Sequence, residues 1–189
     1  MSLRAIARTY VNRIRPRAEE ELAWFRHQPT LASAIECAAL AINSRCKRYR
    51  HQTRLKRVSL QQAKKVLSAN RRRIAKCRTF DELISLIEVW LQPINGLGEL
   101  YTYDTALRIG AKLKLLPARI YLHAGTRVGA RALGFDGKVR TLERSQLPSP
   151  LRRLAAHELE DVLCIFKDRL KKASSREAAD ELKARSWCA

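Results

Sequence analysis

The hexapeptide Pro93-Ile94-Asn95-Gly96-Leu97-Gly98 lies between two segments with helical apolar spacing, Asp81 to Gln92 and Glu99 to Leu113, and it restricts the fold more than any other stretch. Thr79-Phe80-Asp81-Glu82 reads as a capping box, and the run Leu83, Ile84, Leu86, Ile87, Val89, Trp90, Leu91 predicts a helix apolar on most sides and deeply buried. Pro93 ends it. The Gly-x-Gly step lets the backbone take φ > 0 without a Cβ penalty, so the next helix starts abruptly with its first N–H groups uncovered. Leu100, Tyr103, Ala106, Leu107 and Ile109-Gly110 are expected inward, which assigns Arg108 and Lys112 to a more exposed side, with Asp104 the best-placed acid near the turn. Uncovered amides with the partial positive charge of a helix N-terminus favour an anion. The turn therefore reads either as a closure between two helices or as a seat for a phosphate.

Charge favours the second. Among 189 residues, 38 Lys and Arg stand against 18 Asp and Glu, a formal +20. A compact body so charged calls for a polyanion, which points to nucleic acid ahead of an anionic membrane. The excess is concentrated: between Cys37 and Phe80 there is no acid, yet Arg45, Lys47, Arg48, Arg50, Arg54, Lys56, Arg57, Lys64, Lys65, Arg71, Arg72, Arg73, Lys76 and Arg78 fall there. A solvated helix face usually interleaves acids with bases, and this run does not. Ser59, Leu60, Ala63, Val66 and Leu67 predict a helix inside it that stops near Asn70. Tyr49 is placed either to stack on a base or to cover a neighbouring helix.

Leu3, Ile6, Ala7, Tyr10, Val11 and Ile14 form one helical stripe, and Pro16 ends or resets that helix before Ala18 to His27. The first seventeen residues are Arg-rich and free of acid. Organelle transit peptides share that composition, but this pattern continues into an ordinary helix and lacks Ser enrichment. Leu31 to Asn43 reads as a core helix, too short and too interrupted for a membrane span. After Pro117, Thr126 is expected to cap a short helix with Val128, Ala132 and Leu133 inward and Arg127 and Arg131 projecting together. Ala124, Gly125, Gly129 and Ala130 permit close approach of a helix or of a phosphate, helix packing being the commoner use. Ser149-Pro150 opens an amphipathic helix through Leu170, and Ser174 or Ser175 a last one ending near Trp187. No stretch alternates like a strand, so the expected fold is all-α, a bundle of about eight to ten helices. Its expected division is an N-terminal region, residues 1–78, and a helical core, residues 79–189, with one continuous domain as the alternative.

Five scattered cysteines, Cys37, Cys46, Cys77, Cys164 and Cys188, none in a C-x-x-C pair, suit reduced thiols in a cytoplasmic setting. Cys46, His51 and Cys77 match no usual zinc spacing, so neither metal nor cofactor is expected.

Asp81 to Leu113 resembles a helix-hairpin-helix DNA-binding motif, with Asn95-Gly96-Leu97-Gly98 in the place of the hairpin. Pro117 to Gly134 is loosely similar in layout to the segment of helix-hairpin-helix DNA glycosylases where a strand-like approach leads into a helix. The resemblance implies phosphate binding by the Gly96, Leu97 and Gly98 amides, with Arg108 and Lys112 as charge partners and little sequence readout. It does not carry over a catalytic site. Where such glycosylases place a catalytic Asp this chain has Leu122-His123, and where bifunctional ones place a Lys it has Glu99-Leu100. His123 is a candidate acid/base residue by intrinsic pKa, though a His in an apolar segment is more often packed.

The expected function is therefore non-catalytic binding to the backbone of double-stranded DNA through Asn95, Gly96, Leu97, Gly98, Arg108, Lys112, Arg127, Arg131, Arg45, Arg48, Arg71, Arg72 and Arg73. The alternatives are a base-excision enzyme with a departed active site, an RNA binder, or a scaffold that meets an acidic protein partner.

Overall fold

The computed structural model describes residues 1–173, and the expected last helix lies outside them. Among the described residues the fold is all-α apart from one two-stranded antiparallel pair. The elements are α1 (Leu3–Arg13), α2 (Arg15–Arg26), α3 (Leu31–Ala39), α4 (Arg57–Ala69), α5 (Arg71–Ile74), α6 (Phe80–Leu91), α7 (Glu99–Leu113), β1 (Ile120–Tyr121), α8 (Ala124–Ala132), β2 (Thr141–Leu142) and α9 (Ala156–Ile165). The chain divides into two compact units, one of residues 1–16 with 118–189, the other of residues 17–117. The expected boundary at residue 78 falls inside the second unit, because α4 packs on α6 and α3 on α7 across it.

In the first unit, α1 buries Leu3, Ile6 and Tyr10 in a core shared with Ile120, Leu122, Leu142, Leu159, Val162 and Phe166. Two polar ties hold α1 and its continuation to α9. The Tyr10 hydroxyl donates to Asp161 Oδ2 at 2.8 Å, and Arg15 grips Glu158 through Nε at 2.5 Å and Nη2 at 3.0 Å. Pro16 stands in the first turn of α2, where its missing N–H has no cost, so it restarts a helix at Arg15 rather than at Ala18.

β1 pairs Ile120 with Leu142 and Tyr121 with Thr141, two residues a side, too short for any alternation to register in the sequence. α8 follows directly with His123, not Thr126, as its N-cap. Thr126 is the third helical residue, where its Oγ1 accepts from His123 N–H at 2.6 Å and donates to His123 C=O at 2.9 Å. The earlier start rotates the faces. Val128 is exposed, Ala132 and Leu133 are half-buried, and Thr126, Gly129 and Ala130 are buried. A Cβ on Gly129 would stand 2.1 Å from the Leu163 carbonyl oxygen and one on Gly125 2.7 Å from Cys164 Sγ, so the small residues serve contact with α9. The helix expected from Ser149-Pro150 begins only at Ala156, with Leu151 and Leu154 buried in the preceding turns and Glu158 accepting from Ala155 N–H at 2.7 Å.

In the second unit, α3, α4, α6 and α7 enclose Ala34, Ile35, Ala38, Leu60, Ala63, Leu67, Leu83, Ile87, Leu91 and Ile109. α3 stops earlier than expected. Ala41 takes φ 55°, and the Ile42 and Ala41 amides turn back to Cys37 C=O and Ala38 C=O, a left-handed termination with no glycine to announce it. α7 ends the same way at Lys114, φ 62°. The Thr79 side chain caps α6 through Glu82 N–H, while the Glu82 carboxylate reaches Arg78 N–H instead of closing the expected box on Thr79. α6 is less buried than its composition suggests, because Val89 is 65% exposed and Leu86 half-buried beside Arg73, Lys76 and Cys77. Among the described residues no helix is long and apolar enough to cross a membrane.

Candidate nucleic-acid interface

Between α6 and α7 the chain is pinned by Ile94, which is buried and donates its N–H to Leu91 C=O at 2.9 Å. Asn95, Gly96 and Gly98 are exposed and Leu97 is half-buried. Gly96 needs its missing side chain, at φ 86°. Gly98 does not: it is extended, at φ −100° and ψ −178°, and a Cβ there would meet nothing within 4 Å. Gly98 is the N-cap of α7 and brings no side chain to cap the first amides of that helix.

A second helix start meets this turn. α4 begins at Arg57, ahead of Ser59, and the Ser59 hydroxyl donates to Asn95 C=O at 2.8 Å. Lys56 is the N-cap of α4, again without a side-chain cap, and Lys56 and Arg57 are both exposed. The sequence pattern does not distinguish these two cations, at the helix start that meets the glycine turn, from the other bases of the run. No local signal marks them, since the bond that brings them there joins positions 36 apart.

Arg108 and Lys112 are turned inward. Arg108 is 6% exposed, its guanidinium carbon 3.8 Å from the centroid of the Tyr49 ring. Its Nη1 donates to Gln52 Oε1 at 3.0 Å and its Nη2 to Asp104 Oδ2 at 3.1 Å. The same Asp104 oxygen takes Gln52 Nε2 and His51 Nε2, each at 2.8 Å. Tyr49 donates its hydroxyl to Glu21 at 2.9 Å, and Glu21 also accepts from the Ser44 hydroxyl at 2.8 Å. Burial, the largest effect, pushes the Tyr49 phenol well above its ordinary range, against the lowering influence of Arg108. Tyr49 therefore covers a cation rather than standing ready for a base. The reason is that α7 buries a wide face, with neighbours on two sides and the 44–52 loop closing a third. Lys112 is spent on the end of α2, where its ammonium donates to Gln28 C=O and, at 3.3 Å, to Arg26 C=O.

Within the basic run Lys64 pairs with Glu36, an acid from outside it, whereas Glu21 and Asp104 at the loop are engaged by Tyr49 and Ser44 and by His51, Gln52 and Arg108. Arg48 is occupied too, donating to Leu55 C=O at 3.1 Å and Thr53 C=O at 3.4 Å. Arg45, Arg71, Arg72 and Arg73 are exposed, with Arg73 lying 5.2 Å from the Trp90 ring centroid. Arg71, Arg72 and Arg73 follow the far end of α4, and the Arg73 side chain reaches Trp90 on the last turn of α6, the helix that leads into the glycine turn. Arg127 and Arg131 belong to the other unit, Arg127 half-buried and Arg131 exposed beside Lys167, Asp168 and Lys171.

Cys46, His51 and Cys77 serve separate neighbourhoods. His51 is bound to Asp104, Cys77 Sγ contacts Arg73 C=O at 3.6 Å, and Cys46 is exposed in the 40–49 loop. His123 is 2% exposed and its Nε2 is hydrogen-bonded to Glu160. Comparison with protein-family models, with curated proteins and with solved structures gives no significant match to this chain.

Proposed function

We propose that the second unit binds the sugar–phosphate backbone of duplex DNA, with α6, the glycine turn and α7 acting as a helix-hairpin-helix and Lys56 and Arg57 supplying the adjacent charge. The observation that carries this reading is the Ser59–Asn95 hydrogen bond, which joins an exposed glycine turn to the cationic, uncapped start of α4. Two helix starts without side-chain caps and two exposed cations suit an anion. Backbone amides and cations at phosphates carry little sequence information, so the protein acts as an accessory in DNA transactions rather than as a sequence reader.

Gly98 provides the test. An Asp there meets open space in an extended conformation and is a good N-cap, so Gly98→Asp leaves stability equal or slightly higher. Its charge would stand where the phosphate is expected. Fluorescence anisotropy on a labelled duplex should show binding lost with Gly98→Asp, retained with Gly98→Asn, and falling steeply for the wild type between about 50 and 200 mM salt. Equal binding by the Asp variant, or an affinity indifferent to salt, overturns the reading. A matched RNA duplex as competitor separates DNA from RNA.

A further inference from the structure

We infer that His123, Glu160 and Cys164 form a binding site for a divalent transition-metal ion of the zinc class, in the first unit and independent of the DNA reading. A ring nitrogen of His123, a carboxylate oxygen of Glu160 and Cys164 Sγ all lie within 4.8 Å of one another. Glu160 and Cys164 are four apart on α9, one above the other on a single face. His123 comes from the opposite side as the N-cap of α8, its backbone held by Thr126 and by the Leu122 N–H to Arg140 C=O bond at 2.9 Å. Gly125 makes the approach possible. A Cβ there would stand 2.7 Å from Cys164 Sγ and 3.7 Å from His123 Cε1, so a glycine leaves the space the sulfur occupies beside the imidazole.

Burial, charge and donor type agree. His123 and Glu160 are 2% and 5% exposed, and Cys164 is half-buried, which leaves a route to solvent on the sulfur side. One thiolate, one carboxylate and one neutral imidazole around a divalent cation sum to zero charge, the state least costly to hold in an apolar core. Nitrogen and sulfur donors with a single carboxylate select zinc-like ions over magnesium or calcium. Zinc bonds of about 2.0–2.3 Å set tetrahedral donors roughly 3.3–3.8 Å apart, which the cluster reaches by side-chain adjustments of about an ångström or less. On binding, bonds form from the metal to S, N and O. The thiol proton passes to solvent, the neutral His123 ring carries its single N–H on the nitrogen that does not ligate, and a water takes the fourth position.

The test uses the full chain, reduced and freed of metal with chelator, titrated with Co2+ as a spectroscopic stand-in for Zn2+. The expected result is a thiolate-to-cobalt charge-transfer band with intense tetrahedral visible bands, saturating at about one equivalent per chain. The bands should survive replacement of Cys37, Cys46, Cys77 and Cys188 together by Ser and disappear in Cys164→Ser. Glu160→Gln should weaken zinc binding by about tenfold or more in competition with a chromophoric chelator. Absence of the bands, their persistence in Cys164→Ser, or their loss in the four-cysteine variant overturns the inference. Should Cys164→Ser fail to fold by circular dichroism, the four-cysteine variant alone decides.

Discussion

The Ser59 hydroxyl and the Asn95 carbonyl oxygen, 36 positions apart in the chain, meet at 2.8 Å and set the first turn of α4 against the glycine turn that precedes α7. The chain thereby places two exposed cations of an otherwise dispersed basic run beside an exposed turn of backbone.

Replacing Lys56 and Arg57 together by Gln should weaken duplex binding and lower the slope of log affinity against log salt by about 0.9 for each phosphate that is no longer neutralised. Lys64→Gln should change that slope less, because its ammonium already pairs with Glu36. Salt titrations of the three proteins on one duplex make the comparison. Equal slopes would remove Lys56 and Arg57 from the interface.

Arg108 holds the 44–52 loop to α7 through Asp104, Gln52 and Tyr49. Arg108→Ala takes the buried guanidinium away from the Asp104 charge and should cost about 3 kcal/mol or more in urea denaturation. Lys in its place restores charge but not the planar stack on Tyr49, so Arg108→Lys should recover only part of the loss. At temperatures where both variants remain folded, their DNA affinity should match the wild type.

Lys114 closes α7 in the left-handed region, with Leu115 N–H bonded to Gly110 C=O at 2.8 Å. Lys114→Gly removes the Cβ penalty and should stabilise the protein by up to about 1 kcal/mol. Gly110→Ala should act in the opposite direction by about 1–3 kcal/mol, since its Cβ would lie 2.3 Å from the Leu115 carbonyl oxygen. Denaturation midpoints of the two variants must fall on opposite sides of the wild type.

Alkaline pH should unfold the protein through its tyrosines. Burial, the first cause in each case, raises the phenols of Tyr10, Tyr49 and Tyr101, the last to about 12. Because the unfolded value is near 10, the stability contributed is full below about pH 10 and is lost as pH climbs through the folded values. For Tyr101 that window runs from about 10 to about 12, with a limiting slope of roughly 1.4 kcal/mol per pH unit for each such group. Urea midpoints measured between about pH 8 and pH 11 should decline only in the upper part of that range, and Tyr101→Phe should flatten the decline.

What the sequence determined by itself is what repeats locally. Leu3, Ile6 and Tyr10 on α1, Leu60, Ala63 and Leu67 on α4, and Leu83, Ile84, Ile87 and Leu91 on α6 are all buried where helical spacing placed them. The glycine turn and the close approach at Gly125 and Gly129 were also legible, because a missing Cβ matters at the residue itself. The helix end at Ala41 was not, since alanine is not a residue type that ordinarily takes a left-handed backbone. Tertiary structure alone decided which cations face solvent. Arg108 and Lys112 carry the same spacing signal as any surface base, and only Asp104, Gln52 and Tyr49, or the carbonyls ending α2, turn them inward. The meeting of His123 with Glu160 and Cys164 has the same character. Periodicity reports how a side chain relates to its own helix, whereas a charge or a donor is assigned its role by partners dozens of residues away.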